Sequence, residues 1–220
     1  KLVNKKWQNY SFLSTGNFNE ITGRYYADHV FLTSRQEFGM EMEWLFDYLQ
    51  SRKQPTEYIK LPFRHLLVSR FNMVKRFNEL IVREIEHAKL GKPAGIIIKL
   101  NNLEERKMIN RLYVAACAGV KVQLIIRSIC CLVPGVPEQS ENITVKRIVD
   151  RYLEHARIFV FHNNGQPEYF MGSADWMSRN LHSRVEVIFP VYDKAMGEEL
   201  NTILQLQLND NRKAVYVNAA

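Results

Sequence analysis

The sequence predicts an α/β fold, a mixed, largely parallel sheet covered by helices. Two short apolar runs, AGIIIKL at residues 94–100 and GVKVQLIIR at 119–127, lack the polar alternation of a half-solvated strand and read as buried strands. Between them, Glu104–Ala118 has helical periodicity. Strand, helix, strand in that order is the crossover unit of a parallel sheet.

The remaining elements follow along the chain. In Arg35–Gln50 the residues Phe38, Met42, Trp44, Leu45 and Leu49 fall near helical spacing. The polar, proline-containing SRKQPTEYIKLP (51–62) reads as a linker, dividing the chain into a region 1–55 and a domain 56–220. A second helix is expected over Ser69–Leu90, stopped by Gly91-Lys92-Pro93. Trp44, Phe71 and Phe77 read as helix packing residues. CLVPGVPEQSENIT (131–144) is a long loop following a strand, a common location for functional residues in α/β sheets. RIFVF (157–161) and EYFMG (168–172) flank Asn163-Asn164-Gly165, a hairpin signal. RVEVIFPV (184–191) is a further strand, Lys194–Leu208 a closing helix, and the last dozen residues read as frayed.

Composition narrows the function classes. The chain is 46% hydrophobic and 24% charged, ordinary for a globular protein. No apolar run approaches the roughly 18–20 residues of a membrane span. Cys117, Cys130 and Cys131 form neither a disulfide framework nor a CxxC pair; the vicinal two are expected as buried thiols, and a reducing cytoplasm fits. GxxxxGK[ST], GxGxxG, HExxH and EF-hand spacings are absent, so no dedicated metal site is visible. A net charge of +7 and a pI near 9.3 fit either a solvated basic surface or a polyanionic partner: nucleic acid, an anionic membrane surface, or a phosphate-rich substrate. The opening KLVNKKW, without an initiator Met, suggests a fragment of a longer protein.

The candidate chemistry concentrates in residues 151–190. His155 and Arg157, two apart on extended chain, can face one site. An imidazole can attack phosphorus or move a proton near neutral pH, and a guanidinium offers planar donors to phosphate oxygens. Ser173 and Asp175 in the turn after the hairpin, with Arg184 further on, complete a candidate phosphate cradle. Arg127, ending a buried strand, is a further site candidate, whereas His162 and His182 read as surface residues.

An internal echo adds to this. Thr15-Gly16-Asn17-Phe18 resembles Ser173-Ala174-Asp175-Trp176. Tyr26 and Arg184 stand at the same offset after the hydroxyl, and so do Asp28 and Glu186. Two related halves would explain it, with the first copy's counterpart of His155 just before Lys1.

KLNNL (99–103), AGVKVQLIIRSICCLVPGVPEQSENI (118–143), RYLEHARIF (151–159), SADWMSRNL (173–181) and STGNFNEITGRYYAD (14–28) resemble the carboxyl-terminal region of bacterial polyphosphate kinases. The resemblance implies a phospholipase-D-like fold, with the end of one such domain at 1–55 and a second at 56–220. It implies reversible transfer of the terminal phosphoryl of ATP to polyphosphate through a phosphohistidine lying just upstream of Lys1. It implies His155 as the second active-site histidine, catalytic and in contact with nucleotide phosphate, and Tyr26 and Arg127 as ATP contacts. Mg²⁺, ATP or ADP, polyphosphate, a homo-oligomer, peripheral membrane association and a cytoplasmic location are implied likewise, with no nucleic acid. The phospholipase-D pattern His-x-Lys with a later Asp is altered: Arg157 replaces the Lys and His162 stands at the Asp position. That departure weighs against the alternatives of a phospholipase-D-type phosphodiesterase or nuclease; a non-catalytic nucleic-acid-binding module rests on charge alone.

Overall fold

A computed structural model of the protein describes residues 2–3, 6–51 and 61–218. Lys1 and most of the expected linker lie outside the described residues. The amino-terminal region contains β1 (Leu2–Val3), β2 (Lys6–Trp7), β3 (Ser11–Ser14), β4 (Tyr26–Ala27), β5 (Val30–Thr33) and α1 (Gln36–Ser51). There follow β6 (Leu67–Val68), α2 (Met73–Lys89), β7 (Gly95–Leu100), α3 (Arg106–Cys117), β8 (Lys121–Ile126), β9 (Ile143–Ile148), β10 (Leu153–Glu154) and β11 (Arg157–Phe161). The chain continues through β12 (Glu168–Gly172), α4 (Ser178–His182), β13 (Val187–Val191), α5 (Lys194–Asn209) and β14 (Ala214–Tyr216).

The main sheet has the order β14-β9-β8-β7-β11-β12-β13-β6. Parallel pairing joins β7, β8 and β9, the crossover read from the sequence. The hairpin and edge strands add antiparallel neighbours, so β6, β7, β8, β9 and β12 run one way and β11, β13 and β14 the other. The sheet is mixed, as expected, with two of its pairings parallel and five antiparallel.

Strand alternation divides the side chains between two cores. Ile96, Ile98, Leu100, Val122, Leu124 and Ile126 face the apolar stripes of α2 and α3. Ile125, Ile158, Val160, Met171 and Phe189 face the opposite way, toward Leu200, Leu204 and Leu208 of α5. Leu13, Phe31, Phe38 and Leu45 of the amino-terminal region join this second core. The two regions are therefore bound by shared apolar burial, and their polar loops are held at a fixed separation.

Helix starts are set by local chemistry. Glu105 caps α3 by accepting from Met108 N at 2.7 Å, and Asp193 caps α5 by accepting from Met196 N at 3.0 Å. The hairpin turn is as read: Asn163, Asn164 and Gly165 all have positive φ, with His162 Nδ1 accepting from Gly165 N.

Four expectations need correction. The loop read over 131–144 ends two residues early, at β9, whose Lys146 and Arg147 hid its apolar pattern. Ala214–Tyr216 is no frayed tail but an edge strand on β9. Helix α2 starts at Met73 rather than Ser69, because Arg70 has a left-handed φ of 68°. Cys131 is exposed and Cys130 half-buried, since the strand stops at Ile126 and both thiols lie in the loop beyond it.

Candidate active site

The site forms where β4 and β10 pair in parallel, joining the two regions. Leu153 N donates to Tyr25 O, and His155 N and Ala156 N both donate to Ala27 O at 3.2 and 3.1 Å. This short bridge delivers His155 from one side and Tyr26 and Asp28 from the other. His155 Nδ1 lies 2.9 Å from Asp28 Oδ2, and the two rings of Tyr26 and His155 are 4.7 Å apart between centroids. A carboxylate only accepts, so Nδ1 carries the proton and Nε2 the lone pair. Burial alone would raise the Asp28 pKa; hydrogen bonds from His155 and Thr15, with the charge of Arg157 nearby, outweigh it and hold the carboxyl below its usual value.

Arg157 starts β11 and is buried beside the histidine. Its Nε and Nη2 donate to the two oxygens of Asp175 at 3.2 and 3.3 Å, a bidentate pair. Its Nη1 donates to Thr15 O at 3.2 Å and His155 O at 3.0 Å. Nη1 also points at the imidazole, 3.0 Å from His155 Nε2, so its two hydrogens are shared among the two carbonyls and the ring nitrogen. Asp175 is saturated in turn, accepting from Asn101 N, Asn102 N and Asn102 Nδ2. Asn101 extends the network: its Nδ2 donates to His155 O at 3.0 Å and its Oδ1 accepts from Arg127 Nε at 2.6 Å. Burial lowers the Arg127 pKa, aided by the nearby charge of Arg157, while Asp175 and Tyr26 pull it back up. Arg127 therefore belongs to the same cluster.

The internal echo is structural. Thr15 Oγ1 donates to Asp28 Oδ1 at 2.7 Å and Ser173 Oγ to Glu186 Oε2, thirteen residues on in each case. Thr15 N donates to His29 O and His29 N to Thr15 Oγ1; Ser173 N and Val187 repeat that exchange. The small neighbours have a steric cause. A Cβ on Gly16 would strike the Asp28 carboxylate, and one on Gly172 would strike Val187 O.

Comparison with known proteins decides the family. The family model described as "Polyphosphate kinase C-terminal domain 2" matches residues 66–220, and that for "Polyphosphate kinase C-terminal domain 1" matches residues 1–55. The chain belongs to the polyphosphate kinase family. It is 44% identical over 205 residues to the polyphosphate kinase of Vibrio vulnificus and 47% identical over 205 residues to that of Thermosynechococcus vestitus. Each match covers 93% of this chain but only 29% and 27% of the relative, so the chain spans under a third of their length. The crystal structure of the Porphyromonas gingivalis polyphosphate kinase superposes with a TM-score of 0.89 at 45% identity, covering 96% of this chain and 32% of that one. Nuc, a phospholipase D family member from Salmonella typhimurium, shares the fold at a TM-score of 0.50 and 13% identity, over 70% of this chain and 97% of its own. The phospholipase-D-like architecture is thereby shown.

Within this polyphosphate kinase region, the structure brings together His155, Tyr26, Arg127, Arg157 and Asp175. Arg157 and Asp175 are paired with each other and with neighbouring backbone groups. Ser173 sits in the second hydroxyl–carboxylate corner, its hydroxyl engaged by Glu186. Arg184 is exposed, tied in through its main chain to Ser69 Oγ and Arg179 O. Asp28 and Asn101 were not singled out as site residues. The internal echo marks Asp28 only by position, and nothing in the local pattern around Asn101 points to a site role.

Among the described residues, no three His, Cys, Asp or Glu side chains converge on a metal position. The carboxylates of Asp28, Asp175 and Glu186 already accept from protein donors. These residues do not fit a Mg²⁺ site. No helix among them is long and apolar enough to cross a membrane.

Proposed function

We propose that this chain supplies the nucleotide- and phosphate-handling part of a polyphosphate kinase, which reversibly moves the terminal phosphoryl of ATP onto inorganic polyphosphate. One observation carries the reading: His155 Nδ1 is fixed by Asp28 from the other region, with the imidazole beside the Tyr26 ring and Arg127 joined to the same cluster through Asn101. An imidazole held in that tautomer can accept or return a proton at a phosphate oxygen through Nε2. Asp28 stabilises the imidazolium that forms, and the half-buried Arg127 offers its outer guanidinium nitrogens to phosphate. Tyr26 presents a ring beside the imidazole where an ATP phosphate or base edge would lie. Phosphoryl transfer depends chiefly on positioning and charge neutralisation, which this braced set provides.

The further parts of the reading follow from the family. The domain division is placed at 55/56, with each part contributing one wall of the site. The covalent phosphohistidine step belongs to a histidine outside these residues. Mg²⁺ is proposed as an auxiliary of the whole enzyme, with no ligand assigned here and no step routed through it. ATP or ADP and polyphosphate are the proposed partners of a cytoplasmic homo-oligomer that associates peripherally with anionic membrane surfaces; the basic charge suits such polyanions. Ser173 and Arg184 are retained as candidate contacts for the polyphosphate chain.

The test is His155→Ala in the full-length protein. Synthesis should fall by about 10²–10⁴-fold, the usual worth of a positioned proton-transfer group, while the fold and the melting temperature persist. A wild-type rate would overturn the assignment.

A further inference from the structure

A group of ionisable side chains around the buried Lys99 lies beside the site and has no part in the chemistry above. Lys99 on β7 lies opposite Ile158 of β11, and strand alternation turns it, like Ile97, toward the α5 face. Its side chain is only 3% exposed. The ammonium meets Glu154 Oε2 at 2.5 Å, and the same oxygen accepts from Gln207 Nε2 of α5 at 2.8 Å. His29, next to Asp28, feels the charges of Lys99 and Glu154 and, from α5, of Glu199.

Such an arrangement is costly. A buried ammonium loses its hydration, and the attraction of one carboxylate seldom returns more than that loss, so a pair of apolar side chains would serve stability as well. Burial accordingly pulls the Lys99 pKa down, and Glu154 and Asp28 pull it back. The placement of the pair gives it another use. Glu154 immediately precedes His155, and Glu154 pairs with Ala27 in the β10–β4 bridge. That bridge carries Tyr26 and Asp28 on one strand and leads into His155 on the other. The Glu154 carboxylate is the point at which the bridge is pinned to the sheet by Lys99 and to α5 by Gln207.

We propose that Lys99 is a positioning residue for the phosphoryl-transfer site: by clamping Glu154 it fixes the β10–β4 bridge and so sets the orientation of His155 against Asp28 and Tyr26. This rests on the reading of His155 as the catalytic residue. Lys99 touches no substrate. Its effect passes through Glu154 to the imidazole, and a small displacement of a reacting group is enough to cost rate.

The test uses the full-length enzyme with three variants: Lys99→Met, the double variant Lys99→Met/Glu154→Leu, and His155→Ala. Lys99→Met leaves the half-buried Glu154 without its cation, so both the melting temperature and kcat should fall. The double variant removes both charges and should recover melting temperature relative to Lys99→Met. Its kcat should nevertheless stay about 10–100-fold below wild type, with KM for ATP within about twofold, because the clamp is gone. Recovery of wild-type kcat by the double variant would overturn the proposal, since the pair would then be structural only. A rise in KM parallel to the loss of kcat would also overturn it, as that marks general loosening of the site. The His155→Ala arm separates the two claims. If it is inactive while the double variant turns over normally, the catalytic reading stands and only the positioning role falls. If His155→Ala turns over at the wild-type rate, the catalytic reading fails and takes this proposal with it.

Discussion

The two hydroxyl–carboxylate corners of the molecule have the same backbone exchange and different employment. In both, a hydroxyl at position i donates to a carboxylate at i+13 and trades hydrogen bonds with residue i+14. At the first corner Asp28 reaches across to His155 of the other region. At the second, Glu186 takes Asn180 Nδ2 at 2.7 Å, within its own region. The residue two beyond the hydroxyl also differs. Asn17 is exposed, whereas Asp175 is buried and holds Arg157. A shared corner thus acts as a mount for a carboxylate, and what the carboxylate or its neighbour grips decides the role. Here the grip of each corner ends on the 155–157 segment, so that one short stretch is held from both sides.

The strongest way to break the comparison is to give the second corner the first one's residue. Asp175→Asn leaves the buried Arg157 guanidinium without its countercharge, and removing one partner of a buried pair costs about 3–5 kcal/mol. Denaturant unfolding should show a loss near the lower end, because the amide can still accept one hydrogen bond. A loss comparable to that of Asn17→Ala, which alters an exposed side chain, would show that the two positions are equivalent after all.

Next in size is the grip of the first corner. Asp28→Asn replaces a group that only accepts by one that can also donate, so the Nδ1–H tautomer of His155 is no longer imposed. In the full-length enzyme kcat should fall about 10²-fold, the lower end of what a positioned proton-transfer group contributes, with KM for ATP little changed. A smaller effect follows from the hydroxyls. Thr15 is fully buried and Ser173 half-exposed. Thr15→Val should cost about 1.5–3 kcal/mol, as for a hydrogen bond to a charged acceptor. Ser173→Ala should cost less, since water can replace the lost donor at Glu186. Equal losses would mean that burial does not distinguish the corners.

How far was this legible in the sequence? The strand-helix-strand centre and the NNG hairpin were, because apolar runs and left-handed turn residues are local signals. The edge strand at Ala214–Tyr216 was not, because its pairing partner lies far off in sequence, and strand β9 was not, because its side chains are partly polar. In the site, His155 and Arg127 were legible from their places on the strands, and Tyr26 from motif resemblance. The engagement of Arg157 by Asp175 could not be read, because the two are joined by spacing across a hairpin and an adjoining turn that only folding brings together. The Asp28–His155 contact spans 127 residues and two regions, so no local pattern announces it. The echo marked Asp28, but a pattern of spacing does not say which histidine a carboxylate will meet.

The smallest expected effect concerns the residue that follows each carboxylate, and it separates the corners by pH. After Glu186 comes Val187, which has no ionisable group; after Asp28 comes His29. Burial lowers the His29 pKa from 6.5, and the charge of Lys99 lowers it further, while Asp28, Glu154 and Glu199 act in the opposite direction. A histidine whose folded pKa is depressed is held neutral in the fold but takes up a proton in the unfolded chain. Its contribution to stability is therefore complete above the unfolded value of about 6.5 and is lost as pH falls through the folded value. His29→Gln should flatten that part of the stability–pH curve on the acid side of neutrality and leave the region above it unchanged. Lys99→Met should act in the same direction, because without the ammonium the acidic neighbours alone raise the His29 pKa toward its unfolded value. If the slope below neutrality survives His29→Gln unaltered, it arises from another group, and the first corner is then no more sensitive to protons than the second.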